Sequence, residues 1–196
     1  MVETENEGCR VAMLSREEAA RVGKEVGVPS TLAPLTVFRA LLRRPDLGAA
    51  VATQLSLLLW KSNRLDERLR EFVIMRIGWR TGANYEWSQH WAVCLRVGMS
   101  EADILKVRDW RAAGGLTAAE QAVLTATDET LDNGSISAET FERCRAHVGD
   151  DEILIELVLA ISNWRTFSEM LLSLQIPMEE GAEDWPPDGL VGPGVA

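Results

Sequence analysis

Apolar side chains return at three- and four-residue intervals along most of this chain, and alternating apolar–polar runs are nearly absent. A chain with that period buries helix stripes rather than sheet faces, so the expected class is all-α with about eight helices. Local chemistry marks their ends. Ser15 with Glu18 and Thr117 with Glu120 read as capping boxes, Ser100 with Asp103 and Ser137 as further N-caps, and Pro45 as an opening residue whose missing N–H costs a helix nothing. Thr81-Gly82, Gly98, Asn133-Gly134 and Pro177 read as stops. The spacing predicts, among others, a helix over 66–81 burying one face through Leu69, Phe72, Val73 and Ile77. It predicts helices over 84–97 with Asn84 as N-cap, over 100–112, and over 153–174. Residues 1–12 lack an apolar stripe and are expected to be flexible, 13–178 to form a single helical domain, and 179–196, with its GLVGPG stretch, to be extended or disordered.

Several classes of function are disfavoured at once. The longest apolar run, Leu47 to Trp60, spans fourteen positions and is interrupted by Thr53, Gln54 and Ser56, too short for a hydrocarbon core of about 30 Å. The first residues are acidic and polar where a secretory signal is basic and then apolar, so no membrane partner and a cytoplasmic location are expected. A formal net charge of −10 repels a phosphate backbone, which sets nucleic acid aside. Cys9, Cys94 and Cys144 form no C-x-x-C pair and are read as reduced thiols. Without a P-loop, a G-x-S-x-G elbow or a G-x-G-x-x-G turn, neither nucleotide-dependent nor serine-hydrolase chemistry has support, and no cofactor is expected.

Any mechanism needing an imidazole must use His90 or His147. His147 sits near a helix end, where a capping role is the simple reading. His90 lies four residues after Glu86, so both project from one helix face, and a carboxylate held against an imidazole can pass a proton. The macrodipole favours Glu86 as an anion in a first helical turn. The alternative is a pair of little consequence, or a histidine satisfied by its neighbours. Tyr85, Trp87 and Trp91 crowd the same turns, either as walls of a substrate pocket or as packing and subunit contacts. Arg76 or Arg80 can clamp a substrate carboxylate or form an ordinary salt bridge. A metal site from Glu71, Glu86, His90 and Cys94 is conceivable on one stripe, but the usual zinc spacings are not met, and no metal is expected.

The stretch LDERLREFVIMR (65–76), followed by GANYEWSQH (82–90) and Gly98-Met99-Ser100, resembles the carboxymuconolactone decarboxylase and alkylhydroperoxidase D superfamily. The pattern is an upstream glutamate on a helix, a glycine turn, a second helix bearing histidine, and a glycine-then-serine exit. The likeness is strongest over 64–107, and Leu157 to Pro177 with Trp164-Arg165 is similar to the closing helix of longer members. The resemblance implies a helical bundle with a central hairpin, and a homo-oligomer, dimer or trimer. In peroxidase-type members it implies a C-x-x-C-x-x-x-H motif relayed by the upstream glutamate. Glu71 and His90 match the relay positions, whereas Ala83 and Glu86 stand where the two thiols belong. Thiol–disulfide turnover cannot run without them. Decarboxylase-type members are similar in placing a carboxylate four residues before the histidine, as Glu86 is here.

The resulting expectation is a thiol-independent lyase or isomerase that moves a proton on a small carbonyl, carboxylate or lactone compound. His90, Glu86 and Glu71 are the expected catalytic residues, with Glu86 orienting His90 and Glu71 relaying the proton. Tyr85, Trp87, Arg80 and Trp91 are the expected substrate contacts. The alternative is a non-catalytic oligomeric ligand-binding protein derived from the peroxidase scaffold.

Overall fold

The computed structural model describes residues 8–194. Among them lie nine α-helices: α1 (Arg16–Val26), α2 (Thr36–Leu41), α3 (Pro45–Leu59), α4 (Glu67–Thr81), α5 (Asn84–Arg96), α6 (Glu101–Leu105), α7 (Ala118–Asn133), α8 (Ala138–His147) and α9 (Asp151–Leu174), with a 3-10 turn at Lys106–Arg108. No strand occurs among the described residues, so the fold is all-α. None of these helices is long and apolar enough to cross a membrane.

The described residues divide into two compact units, one comprising 8–63 and 170–181, the other 64–169 and 182–194. Of the N-terminal segment expected to be flexible, residues 1–7 lie outside the described residues. In the first unit Cys9 is buried and the Arg10 amide donates to the Leu174 carbonyl at 2.8 Å. Helices α1, α2 and α3 pack on one another. The Thr36 amide and hydroxyl both donate to Glu179, at 2.7 and 2.9 Å.

The second unit is organised around α4. The Asp66 carboxylate caps its first turn by accepting from the Leu69 amide, and Gly82, at φ 76°, ends it in the left-handed region that only glycine enters cheaply. The apolar spacing predicts one buried face for α4. In the structure every residue from Leu69 to Trp79 is buried, because α5, α7 and the 3-10 turn all pack on it. Its charged members survive burial by pairing: Arg70 with Glu71, and Arg76 with Asp128.

Two local expectations fail for identifiable reasons. The helix expected over 100–112 stops being α-helical at Leu105 and passes into the 3-10 turn. Arg76 Nη1 takes the carbonyls of Val107 and Arg108, at 2.6 and 3.0 Å, and so occupies acceptors that a continuing helix would use. Asn84 is the first residue of α5 rather than its N-cap. Its side chain is engaged by the C-terminal tail, donating to Asp184 at 2.8 Å and accepting from the Trp185 amide at 2.9 Å.

That tail, expected to be extended or disordered, is held from Asp184 to Gly194 by specific contacts. Trp185 is buried against Trp79 and Trp87, with ring centroids 6.0 and 6.1 Å away. The Trp87 indole N–H donates to the Pro186 carbonyl at 2.8 Å, and Arg108 pairs with Asp188 through both of its terminal nitrogens. Gly192 comes so close that a Cβ would meet the Trp79 carbonyl oxygen at 2.5 Å and the Trp185 ring at 2.9 Å. Gly192→Ala is therefore expected to unseat the tail at a cost of about 1–3 kcal/mol. Faster tail proteolysis and red-shifted tryptophan emission report it, and an unchanged digestion pattern speaks against the packing.

Candidate active site

The glycine turn at Gly82 folds α5 back along α4, and α9 runs antiparallel to α5. Glu71 on α4 faces His90 on α5, while Glu86 and His90 on α5 meet Ser168 and Trp164 on α9, respectively.

His90 Nδ1 lies 2.7 Å from Glu71 Oε2, and the Trp164 indole N–H points at Nε2 from 3.4 Å. An indole nitrogen only donates, so Nε2 is the accepting nitrogen and Nδ1 carries the proton that is donated to Glu71. The Trp164 contact is long and therefore weak, which leaves Nε2 with spare basicity toward another partner. The ring meets Trp164 edge-on at 86°, with 5.8 Å between centroids. Glu71 is fully buried, whereas the His90 side chain keeps 14% of its exposure. The second Glu71 oxygen accepts from Arg70 Nε at 3.2 Å, and Arg70 balances its charge.

Glu86 does not orient His90. Its Oε2 accepts from the Ser168 hydroxyl, and Oε1 is buried with no hydrogen-bond partner among the described residues. Burial pushes the Glu86 carboxyl up to about 8, against a smaller lowering by Ser168. The helix dipole favours the anion by only about 0.3–1 kcal/mol, too little to offset such a desolvation. The expectation that Glu86 pairs with His90 is thus corrected: Glu71 holds the imidazole, and Glu86 is bonded to Ser168, with burial disfavouring its anion.

The expected substrate contacts are largely committed elsewhere. Trp87 is fully buried and Trp91 nearly so, in an aromatic cluster with Trp79 and Trp185, and Arg108 lies over the Trp79 and Trp87 rings at 4.7 and 5.1 Å. Tyr85 is also buried. Arg80 bridges Asp128 at 3.0 Å and Asp132 at 2.6 Å, so its guanidinium serves a structural ion-pair network. Trp164, Ser168 and Arg70 were not among the expected site residues. Trp164 and Ser168 repeat on α9 the four-residue spacing of Glu86 and His90 on α5, and that matched spacing was the available signal.

Burial, then the nearby Glu71 charge, raises the Cys94 thiol well above its ordinary range, so no thiolate is available there. Among the described residues no three His, Cys, Asp or Glu side chains converge as a metal site, and the Glu71, Glu86, His90 and Cys94 stripe does not form one.

Residues 45–129 match the model of the carboxymuconolactone decarboxylase family. A search of curated proteins gives no match. Among solved structures, the chain is similar to debrominase Bmp8 in complex with 2,3,4-tribromopyrrole, at TM-score 0.68 and 15% identity over 92% of this chain and 95% of that one. It is similar to an alkylhydroperoxidase AhpD core protein from Ralstonia eutropha, described as an uncharacterized peroxidase-related protein, at TM-score 0.67 and 17% identity over 84% and 85% of the two chains. It is also similar to a putative antioxidant defence protein AhpD from Agrobacterium tumefaciens, at TM-score 0.63 and 23% identity over 69% and 92%. At these identities the likeness is one of fold.

Proposed function

We propose that this chain, a carboxymuconolactone decarboxylase and AhpD-like protein by its residues 45–129 and by its fold, is a thiol-independent lyase or isomerase working by proton transfer. The observation that carries the reading is the Glu71 contact at 2.7 Å on His90 Nδ1, which leaves Nε2 as the basic nitrogen. His90 Nε2 takes a proton from carbon next to a carbonyl or carboxyl group and returns it later in the reaction. Glu71 is a positioning residue that fixes the ring's tautomer and balances the imidazolium as it forms.

Ala83 and Glu86 at the thiol positions, and the raised Cys94 thiol, speak against peroxidase turnover. The similarity to a debrominase holding a tribromopyrrole supports a small planar substrate. Self-association, implied by the family resemblance, is supported by the exposed Ile155, Val158 and Leu159, spaced along one face of α9.

The test is hydrogen exchange in D2O, followed by proton NMR over a panel of small oxo acids, lactones and unsaturated carboxylates. Wild type is expected to exchange the carbon-bound proton of at least one compound, and His90→Gln to slow that exchange about a hundredfold while remaining folded. Exchange that survives His90→Gln overturns the reading. So does a wild type that exchanges none of the panel but binds members with a His90-dependent affinity, which is the signature of the ligand-binding alternative.

A further inference from the structure

We infer that Glu86, held by Ser168, is the hydrogen-bond donor that receives the negative charge developing on a substrate carbonyl oxygen, so that the site selects compounds reacting through a planar enolate. The inference rests on the proposed role of His90 and adds the second half of the reaction centre.

Glu86 and His90 are four residues apart on α5, and their partners Ser168 and Trp164 are four apart on α9, so the two pairs stack along one seam between the helices. Glu86 and His90 are therefore about 6 Å of helix rise apart on one face of α5. Groups so spaced can be bridged by a C–C=O unit making contacts of about 3 Å at each end.

The chemistry of Glu86 sets it apart from the other buried acids. Among the described residues four acidic side chains are buried, Glu71, Glu86, Glu120 and Asp128. Three of them have cationic partners: Arg70 on Glu71, Arg68 on Glu120, and Arg76 with Arg80 and Arg111 on Asp128. Glu86 has only a serine hydroxyl, and its Oε1 has no partner. A carboxyl buried without a cation keeps its proton, and a protonated carboxyl donates a strong hydrogen bond. Burial pushes Glu86 up to about 8, which preserves the proton at neutral pH. The charged groups of the same seam are Arg70 and Glu71 on α4, paired with each other, His90 on α5, held by Glu71, and, near Ser168 in sequence, Arg165 with Glu169 on α9. The last two form an exposed pair with each other.

The step balances without redox chemistry. The C–H bond breaks, its proton goes to His90 Nε2, and its electron pair forms C=C while the carbonyl π pair moves onto oxygen. Glu86 donates a hydrogen bond to that oxygen and keeps its own proton. The imidazolium, held by Glu71, then returns the proton to the same or another carbon. Where the carbon carries a carboxylate, loss of carbon dioxide generates the same enolate, and a protonated His90 quenches it.

The experiment uses 3,4-dinitrophenolate, an aromatic oxyanion read by its visible absorption, with wild type and with Glu86→Gln, Glu86→Ala, Ser168→Ala and His90→Gln chains between pH 6 and 9.5. Wild type is expected to bind it, with affinity falling at least tenfold as pH rises through the region near 8. Glu86→Gln, which keeps an N–H donor, should bind within a few-fold of wild type and lose the pH dependence. Glu86→Ala should lose at least tenfold in affinity, and Ser168→Ala should move the pH midpoint upward, because the hydroxyl holds Glu86 down. A purely structural Glu86 would not move that midpoint. No binding to wild type, equal affinity in a folded Glu86→Ala, or a pH profile unchanged in Glu86→Gln overturns the inference, and in each case His90-dependent exchange can still stand. Conversely, exchange that persists in His90→Gln removes the proposed function while leaving phenolate binding as a separate result.

Discussion

Asp128→Ala is expected to cost about 3–5 kcal/mol of folding stability, read as a fall in the denaturant midpoint at pH 7. Asp128 is buried and accepts from Arg76 Nε at 2.7 Å and Nη2 at 3.0 Å, from Arg80 at 3.0 Å, from Arg111 at 2.7 Å and from the Trp110 indole N–H at 2.9 Å. Burial alone would raise its carboxyl, but the hydrogen bonds from Arg76, Trp110 and Arg111 outweigh it and hold the group below the usual carboxylate range. Removing it strands the buried Arg76 guanidinium, and a buried charge without a counter-charge costs far more than a lost surface pair. Arg111→Ala is the control: its side chain is 59% exposed, and its loss should cost about 1 kcal/mol or less. The same depressed carboxyl makes stability fall in acid, as pH drops from the unfolded value toward the folded one. Equal losses for the two variants would show that Asp128 is not the hub of this network.

Glu86→Gln is expected to act in the opposite direction and stabilise the protein at neutral pH. A carboxyl raised to about 8 in the folded chain keeps a proton that the unfolded chain releases near 4.5. The folded state is therefore favoured fully below about 4.5, and that contribution is lost as pH rises toward 8. At pH 7 the cost is roughly 3 kcal/mol, at 1.36 kcal/mol per pH unit. The neutral isostere removes it, so the stability gap between Glu86→Gln and wild type should widen from near zero at pH 4.5 to several kcal/mol at pH 8. Denaturant titrations at these two pH values check the sign. A gap that stays constant or narrows with pH would mean that Glu86 is ionised in the folded chain.

Much of the scaffold was legible before any coordinates. The N-caps at Ser15, Ser100, Thr117 and Ser137 all accept the expected amide, and Gly82 and Gly134 both end helices in the left-handed region. Such signals are readable because cap and amide are three residues apart and need nothing from the rest of the chain. Glu71 and His90 were legible through family resemblance, nineteen positions apart, and the structure joins them directly. The partner of Glu86 was not. Helical spacing placed it on the face of His90, yet Ser168, 82 residues further on, claims its carboxyl. Nor was the tail, whose composition suggested disorder until Trp185 found Trp79 and Trp87 to pack against.

Helix boundaries and shared helix faces are written in local residue order, since they follow from backbone hydrogen bonds and a 3.6-residue turn. Which acid holds the imidazole, and which one burial pushes up, follow from packing between distant parts of the chain. Both depend on water being excluded, and α9 brings the indole and the hydroxyl that meet His90 and Glu86 in that dry seam.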